Sequence, residues 1–198
     1  LLQTVASRTA LAAPASAISG LSPEARALAL AAVAGDAPVL AVVASDVDVK
    51  CLTADVRFFY KALHSTTEFE VLRSVLPFPS PEIDPYRAIA PHLDVASARA
   101  RALTAISHRT AHIVIASASA LLPRVSSPDR VRHASRELVV GGLVSPTELG
   151  DLLADAGFMP EDPVDEHGEF CVRGGVVDFF PVGDEYPVRV EFVGDLIE

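Results

Sequence analysis

The sequence contains no tryptophan, a single methionine and only two cysteines among its 198 residues. The cysteines, Cys51 and Cys171, lie far apart and form no spaced pair, which argues against a disulfide framework and against a zinc site. No apolar run reaches the roughly 18–20 residues that a membrane-spanning helix needs, and the alanine-rich start lacks the basic segment of a signal peptide. These absences predict a soluble, cytoplasmic protein that contacts no membrane.

Positive charge is scarce in the last third of the chain. Residues 136–198 contain three arginines against 15 acidic residues, whereas residues 1–135 contain 13 basic and 11 acidic residues. Such an acidic surface repels nucleic-acid phosphates and suits a basic protein surface. On charge alone, a well-solvated domain without a partner remains an equal alternative.

Residues 1–135 alternate between helical and extended patterns. We predict helices at residues 24–34, 46–63 and 97–107, and buried strands at residues 39–44 and 112–116. Four prolines between Val75 and Tyr86 predict an extended linker without regular structure. This alternation predicts an α/β fold with an open parallel sheet whose strands are covered on both faces.

The pattern changes near Ser135. We predict a short strand at residues 138–140, then a helix with a capping box at residues 145–148 and an end at Gly157. Residues 169–173 and 188–192 alternate between polar and apolar side chains, as strands with one solvent-exposed face do. Gly174-Gly175 indicates a bend. Residues 136–198 are therefore predicted to form a small α+β domain on an antiparallel sheet.

The stretch Gly20-Leu-Ser-Pro-Glu-Ala-Arg-Ala27 has the spacing of a phosphate-binding loop, G-x-x-x-x-G-K-[ST]. Gly20 matches the first glycine, but Ala25 replaces the second glycine, Arg26 replaces the lysine and Ala27 replaces the hydroxyl residue. The missing residues are those whose amide groups, ammonium and hydroxyl hold phosphates and magnesium. The stretch is therefore a weak candidate for an ATP site.

The residues inside the same stretch also fit an ordinary helix start. Ser22 suits the N-cap and Pro23 the first helical position. Pro23 also removes an amide donor, and Glu24 places a negative charge where phosphates would lie. Both features weaken the phosphate-binding interpretation further.

No arrangement of side chains predicts catalysis or metal binding. The six histidines are scattered, and the one pair at helical spacing, His108 and His112, straddles a predicted helix end and strand start. Neither cysteine has a basic neighbourhood that would activate it, and no G-x-S-x-G motif is present. We predict no catalytic residue, no cofactor and no metal.

Five segments resemble a known family. They are residues 77–86, 91–103, 113–121, 168–181 and 188–195, which include the sequences CVRGGVVDFFP and VRVEFVGD. They resemble the amino-terminal, UvrB-homologous part of bacterial transcription-repair coupling factors (Mfd), over nearly the whole chain. The resemblance implies a degenerate RecA-like P-loop domain at residues 1–135, with a short insertion like UvrB domain 1b near residues 80–105. Residues 136–198 would be the UvrA-binding domain, which is like UvrB domain 2.

Two features favour the coupling factor over UvrB itself. UvrB-like proteins keep the glycine, lysine and threonine that the loop at Gly20 lacks. They also carry a long tyrosine-rich hairpin that engages damaged DNA, whereas the connection from Glu82 to His92 holds one aromatic residue, Tyr86. A single aromatic side chain is too few for such stacking.

The resemblance implies an adaptor without catalysis. Members of the family bind UvrA and so recruit nucleotide excision repair to a stalled RNA polymerase, while other domains of the full-length translocase contact the polymerase and DNA. We interpret the chain, which begins at Leu1 and ends at Glu198, as a fragment of such a protein. Two alternatives remain, a DNA-binding module and a P-loop ATPase or helicase fragment.

The resemblance also implies which residues contact UvrA. Arg173 matches the arginine of the family's V-R-G-G signature, and we expect Glu169, Phe170 and Arg189 to contribute beside it. Arginine suits a bidentate contact with a partner's carboxylate.

Two reservations belong to this set. Arg173 could instead pair internally with one of the many nearby acids, such as Glu169 or Glu191, and for Arg189, the weaker candidate, internal pairing is the favoured alternative. Met159 stands where family members often have an arginine, two residues after Gly157, and we expect it to supply an adaptable apolar contact.

Overall fold

The structure is a computed structural model that describes residues 18–35, 37–81, 92–181, 184 and 186–198. The chain divides into two compact units, Leu1–Arg132 and His133–Glu198. The boundary predicted from the sequence, between residues 135 and 136, lies close to this division. Among the described residues, no helix is long and apolar enough to span a bilayer.

The first unit contains a parallel sheet with helices on its faces. Its elements are α1 (Pro23–Val33), β1 (Val39–Val43), α2 (Asp46–His64), α3 (Glu68–Ser74), β2 (Val75–Phe78), α4 (Leu93–Ser107) and β3 (Ile113–Ser117). A short helix, α5 (Pro128–His133), follows. The strand order is β1-β3-β2, and both strand pairs are parallel. The predicted parallel α/β arrangement is confirmed.

Helix α2 forms one side of the core, and nearby residues specify both where it begins and which of its faces is apolar. Ser45 and Asp48 form a reciprocal capping box at its first turn. Val49, Val56 and Tyr60 then recur at helical spacing and are buried together with Ile113 and other sheet residues. The opposite face of the sheet packs against α4 through a second cluster around Ala102 and Val114.

The predicted linker at residues 75–86 is wrong at its start, because Val75–Phe78 form strand β2. Pro77 lacks the N–H of a ladder residue, but β2 is an edge strand, where a proline is tolerated. A helix that the sequence analysis did not predict, α3, precedes the strand and begins with a capping box of Thr67 and Glu70. Residues 79–81 have no regular secondary structure, and the rest of the predicted linker, with Tyr86, lies outside the described residues. Residues 93–105 of the predicted insertion belong to α4, which connects β2 to β3.

The expectation that every strand of this sheet is covered on both faces is not met at β1 among the described residues. Leu40 and Val42 are 56% and 53% exposed. Both side chains lie on the face of the sheet that α4 covers. Helix α4 packs against β2 and β3, and β1 lies at the opposite edge of the sheet from β2, so Leu40 and Val42 stay uncovered.

The second unit is a five-stranded sheet with one helix against it. Its elements are α6 (Pro146–Asp155), β4 (Met159–Pro160), β5 (Glu169–Arg173), β6 (Val176–Phe179), β7 (Val188–Val193) and β8 (Leu196–Ile197), with the strands in sequence order across the sheet. The sheet is mixed rather than purely antiparallel, because β4 runs parallel to β5. Leu149 and Leu153 of α6 pack on Phe170, Val177 and Val190.

Residues 138–140 do not form the predicted strand. The left-handed backbone of Gly141 turns the chain, and the N–H groups of Gly141 and Val144 donate to Ile197 and Asp195. The predicted capping box is half formed. Ser145 accepts a hydrogen bond from the Glu148 N–H, but the Glu148 carboxylate lies 3.7 Å from Arg136.

Candidate protein-binding face of the second unit

The sheet of the second unit has an inner face against α6 and an outer face directed away from it. Inner side chains such as Phe170 and Val177 join the core with Leu149. Because side chains alternate along a strand, the strand register places a second set on the outer face. These outer residues are Glu169, Cys171 and Arg173 on β5, Val176 and Asp178 on β6, and Arg189, Glu191 and Val193 on β7.

Arg173 is paired internally with a nearby acid, Asp162, as one alternative from the sequence proposed. Its Nε donates to Asp162 Oδ2 at 3.1 Å and its Nη2 donates to Asp162 Oδ1. These hydrogen bonds to the Asp162 carboxylate raise the pKa of Arg173. The Glu169 carboxylate instead accepts the N–H groups of Asp165 and Glu166. Arg173 stays 46% exposed, so pairing leaves it accessible.

Arg189 has an equivalent partner on the neighbouring strand. Its Nε and Nη2 donate to the two carboxylate oxygens of Asp178 at 2.7 and 2.8 Å. The two residues face each other in the antiparallel register. Hydrogen bonds from Arg189 lower the pKa of Asp178. Partial burial acts in the opposite direction, and the positive charges of Arg189 and Arg173 lower the pKa further.

This pairing predicts a pH dependence of stability. Because the pKa of Asp178 is lower in the folded chain than in the unfolded chain, the pair stabilises the fold above the unfolded pKa of about 4. The contribution is lost as the pH falls through the folded pKa. We expect the unfolding free energy to decrease between about pH 5 and pH 2. The Asp178→Asn variant should lose part of this decrease. Thermal unfolding measured across this pH range tests both expectations. Asp155→Asn, at an exposed acid of α6, should keep the original pH dependence, and an identical profile for both variants would contradict the assignment.

The two arginines line one groove of about 320 Å³. Asp178 lies on its wall, and its remaining lining is apolar and consists of Pro163, Val164, Pro187 and Val188. The groove therefore combines two fixed guanidinium groups with a rigid apolar surround. Such a combination suits a protein partner that offers a carboxylate beside apolar atoms.

The other residues predicted to contact UvrA are distributed differently. Phe170 is only 7% exposed and belongs to the core, so the expected direct contact conflicts with its burial. Met159 is 63% exposed on the edge strand β4. The register places it beside Glu169, at the opposite end of β5 from Arg173.

An exposed apolar row extends the outer face beyond the arginines, and the sequence analysis missed it. Val193 pairs with Leu196 across the β7–β8 hairpin, and Leu196 forms a bridge with Leu143. Their exposures are 60%, 40% and 74%. Extending the alternation of Arg189 and Glu191 by one residue beyond the predicted strand would have placed Val193 on this face, but its neighbours come from other segments.

The helix start predicted at Ser22 and Pro23 is confirmed. Helix α1 begins at Pro23, and Ser22 accepts a hydrogen bond from the Ala25 N–H at 3.3 Å. Ala27, at the position of the P-loop hydroxyl residue, is fully buried in the core.

A larger groove of about 780 Å³ lies elsewhere in the first unit, next to Gly35, Tyr60, His64, Arg109 and His112. Tyr60 and His112 share a hydrogen bond of 2.7 Å, and His64 donates to the Ala31 carbonyl at 3.2 Å. Across the described ranges, no three metal-ligating side chains converge.

Comparison with known families identifies the class of the second unit. Residues 137–198 match the UvrB interaction domain family, which covers nearly all of that unit and its outer face. This region is therefore similar to UvrB interaction domains over nearly its whole length.

Curated relatives then identify the group of proteins. The chain is 31% identical over 121 residues to the transcription-repair-coupling factor of Haemophilus influenzae, covering 61% of this chain and 11% of that protein. It is 30% identical over 182 residues to the coupling factor of Myxococcus xanthus, covering 90% of this chain and 15% of the relative. UvrABC system protein B of Mycobacterium tuberculosis is 36% identical over 105 residues, 53% of this chain and 14% of that protein. The predicted resemblance to the UvrB-homologous module of coupling factors is confirmed, and the chain spans only a small part of each relative's length.

Proposed function

We propose that this chain is a non-catalytic adaptor that binds UvrA and thereby recruits nucleotide excision repair to a stalled RNA polymerase. The observation that carries the proposal is the outer face of a UvrB interaction domain, where Arg173 and Arg189 stand exposed beside a groove. In a longer protein, contacts with RNA polymerase and DNA belong to other domains. The proposed location is the cytoplasm.

Charge and apolar exposure support a protein partner for this face. Residues 136–198 carry a net charge of −12, so a partner with a largely basic surface is attracted over long range. Within that acidic surface the two arginines give local specificity, and the row of Val193, Leu196 and Leu143 supplies apolar area for desolvated contact. Arginine and apolar side chains together are typical of interface centres.

The first unit has a supporting part in this proposal. We interpret it as a degenerate RecA-like domain in which the loop at Gly20 serves only to start α1. The residues Ala25, Arg26 and Ala27 lack the groups that bind a nucleotide phosphate. Ala27 is instead buried and packs in the core. Catalysis is therefore assigned neither to this loop nor to the outer face.

Calorimetric titration of the chain with purified UvrA tests the proposal. We expect saturable binding at low salt. Titration with ATP and magnesium should give no heat, and saturating nucleotide should leave the unfolding temperature unchanged, since a ligand at 100 times its dissociation constant would add about 2.7 kcal/mol of stability. Failure to bind UvrA at low salt would reject the adaptor, and stabilisation by ATP would favour a nucleotide enzyme instead.

A further inference from the structure

Arg173 and Arg189 are held by their aspartates through the same pair of donor atoms. Each arginine uses Nε and Nη2 to contact both oxygens of one carboxylate, that of Asp162 for Arg173 and that of Asp178 for Arg189. This is the planar, two-point geometry that fixes a guanidinium best. The opposite edge of each group, which carries Nη1, is thereby turned away from its aspartate.

Asp178 lies between the two arginines, so the four charged side chains form one alternating series rather than two separate pairs. Asp178 faces Arg189 in the register of β6 and β7, and it lies two residues along β6 from Val176, which faces Arg173. Asp178 and both arginines also line the same groove. Asp178 is also the most covered member, with a side chain 15% exposed against 59% for Arg189. Asp178 on the central strand β6 is therefore flanked by Arg173 of β5 and Arg189 of β7, and Arg173 is paired in turn with Asp162 in the segment after β4.

Fixing these guanidinium groups in advance has a direct consequence for binding. A free arginine on a surface samples many rotamers, and a partner that uses it must immobilise the side chain. An arginine already held on one edge loses less freedom when a partner contacts its other edge. Both aspartates reduce the local positive charge, so they do not strengthen the attraction of the arginines for a partner's carboxylates. Their contribution to docking is to fix the conformation of the arginine side chains.

We propose that Asp162 and Asp178 are positioning residues for the docking of UvrA. They hold Arg173 and Arg189 along the groove with their outer edges directed at the partner. This inference rests on the proposed function, because it describes how the same face is prepared for the same partner. The partner surface that fits it offers acceptor groups, such as carboxylates, spaced to meet both guanidinium groups.

The positioning can be measured first in the free chain. In the 15N-labelled protein, the Arg173 and Arg189 Nε–H signals should be well resolved and slow to exchange. Asp162→Asn should broaden or remove the Arg173 signal, and Asp178→Asn the Arg189 signal, with the backbone amide spectrum showing that the fold persists. Signals that are unaffected by these changes would overturn the inference without any reference to UvrA.

Binding to UvrA then separates positioning from charge. Asp162→Asn and Asp178→Asn should each weaken binding about three- to tenfold, whereas Asp155→Asn, with the same change of charge on α6, should leave the affinity unchanged. The loss should persist at high salt, where long-range attraction is screened. If the wild-type chain binds UvrA and both variants bind equally well or better, the positioning role is rejected and the adaptor function stands. If the wild-type chain does not bind, the proposed function fails and takes this inference with it.

Discussion

Replacing Arg173 by glutamate should reduce the affinity for UvrA by at least about thirtyfold, as expected for a central interface arginine. The substitution removes the guanidinium and places a carboxylate beside Asp162 and near Asp178, so the alternating series becomes a run of like charges. The fold should persist, since exposed ion pairs contribute little to stability. Calorimetric titration with UvrA, after circular dichroism has confirmed the fold, measures the effect.

Arg136→Glu is the matched control for this experiment. Arg136 has the same side-chain exposure of 46%, pairs with an acid and lies in the same unit, but its partner is Glu148 on α6 rather than a residue of the outer face. The change in net charge is identical. Equal losses in the two variants would show that UvrA senses only the overall charge, and no loss in either would move the binding site away from Arg173.

Replacing Leu149 by alanine should destabilise the second unit by about 3 kcal/mol, within the range of buried leucine truncations. Leu149 is 2% exposed and joins α6 to the inner face of the sheet through Phe170 and Val177. Small domains have stabilities of about 5–15 kcal/mol, so this loss is a large fraction of the total. Hydrogen exchange in strands β5 to β7 should accelerate about a hundredfold where it requires opening of the unit.

Exchange measured peptide by peptide also reports whether the two units are independent. Strand β3 of the first unit should keep its protection in the Leu149→Ala variant. The control is Leu143→Ala, which removes the same atoms from a side chain that is 74% exposed, and which should leave protection in the second unit nearly unchanged. A comparable loss of protection in both variants would contradict the placement of Leu149 in the core.

Local sequence patterns predicted the elements whose signals are complete within a short window. The helix predicted at residues 46–63, the N-cap at Ser22 and the alternation of β5 and β7 are of this kind, and all are confirmed. Strand β2 was missed because four nearby prolines dominate a local interpretation, while the tolerance of Pro77 depends on an edge position that only the assembled sheet defines.

For the candidate site, the sequence by itself determined that residues 136–198 are acidic, that the loop at Gly20 lacks the groups for phosphate binding, and that Arg173 and Arg189 lie on solvent-exposed strand positions. Each of these follows from residue type and spacing along one segment. Only the tertiary structure decided that Arg173 pairs with Asp162 among the nearby acids, and that Val193, Leu196 and Leu143 form one row. Those contacts join segments that are separate in the chain, so they depend on strand register and on the helix against the sheet, which no single stretch of sequence specifies.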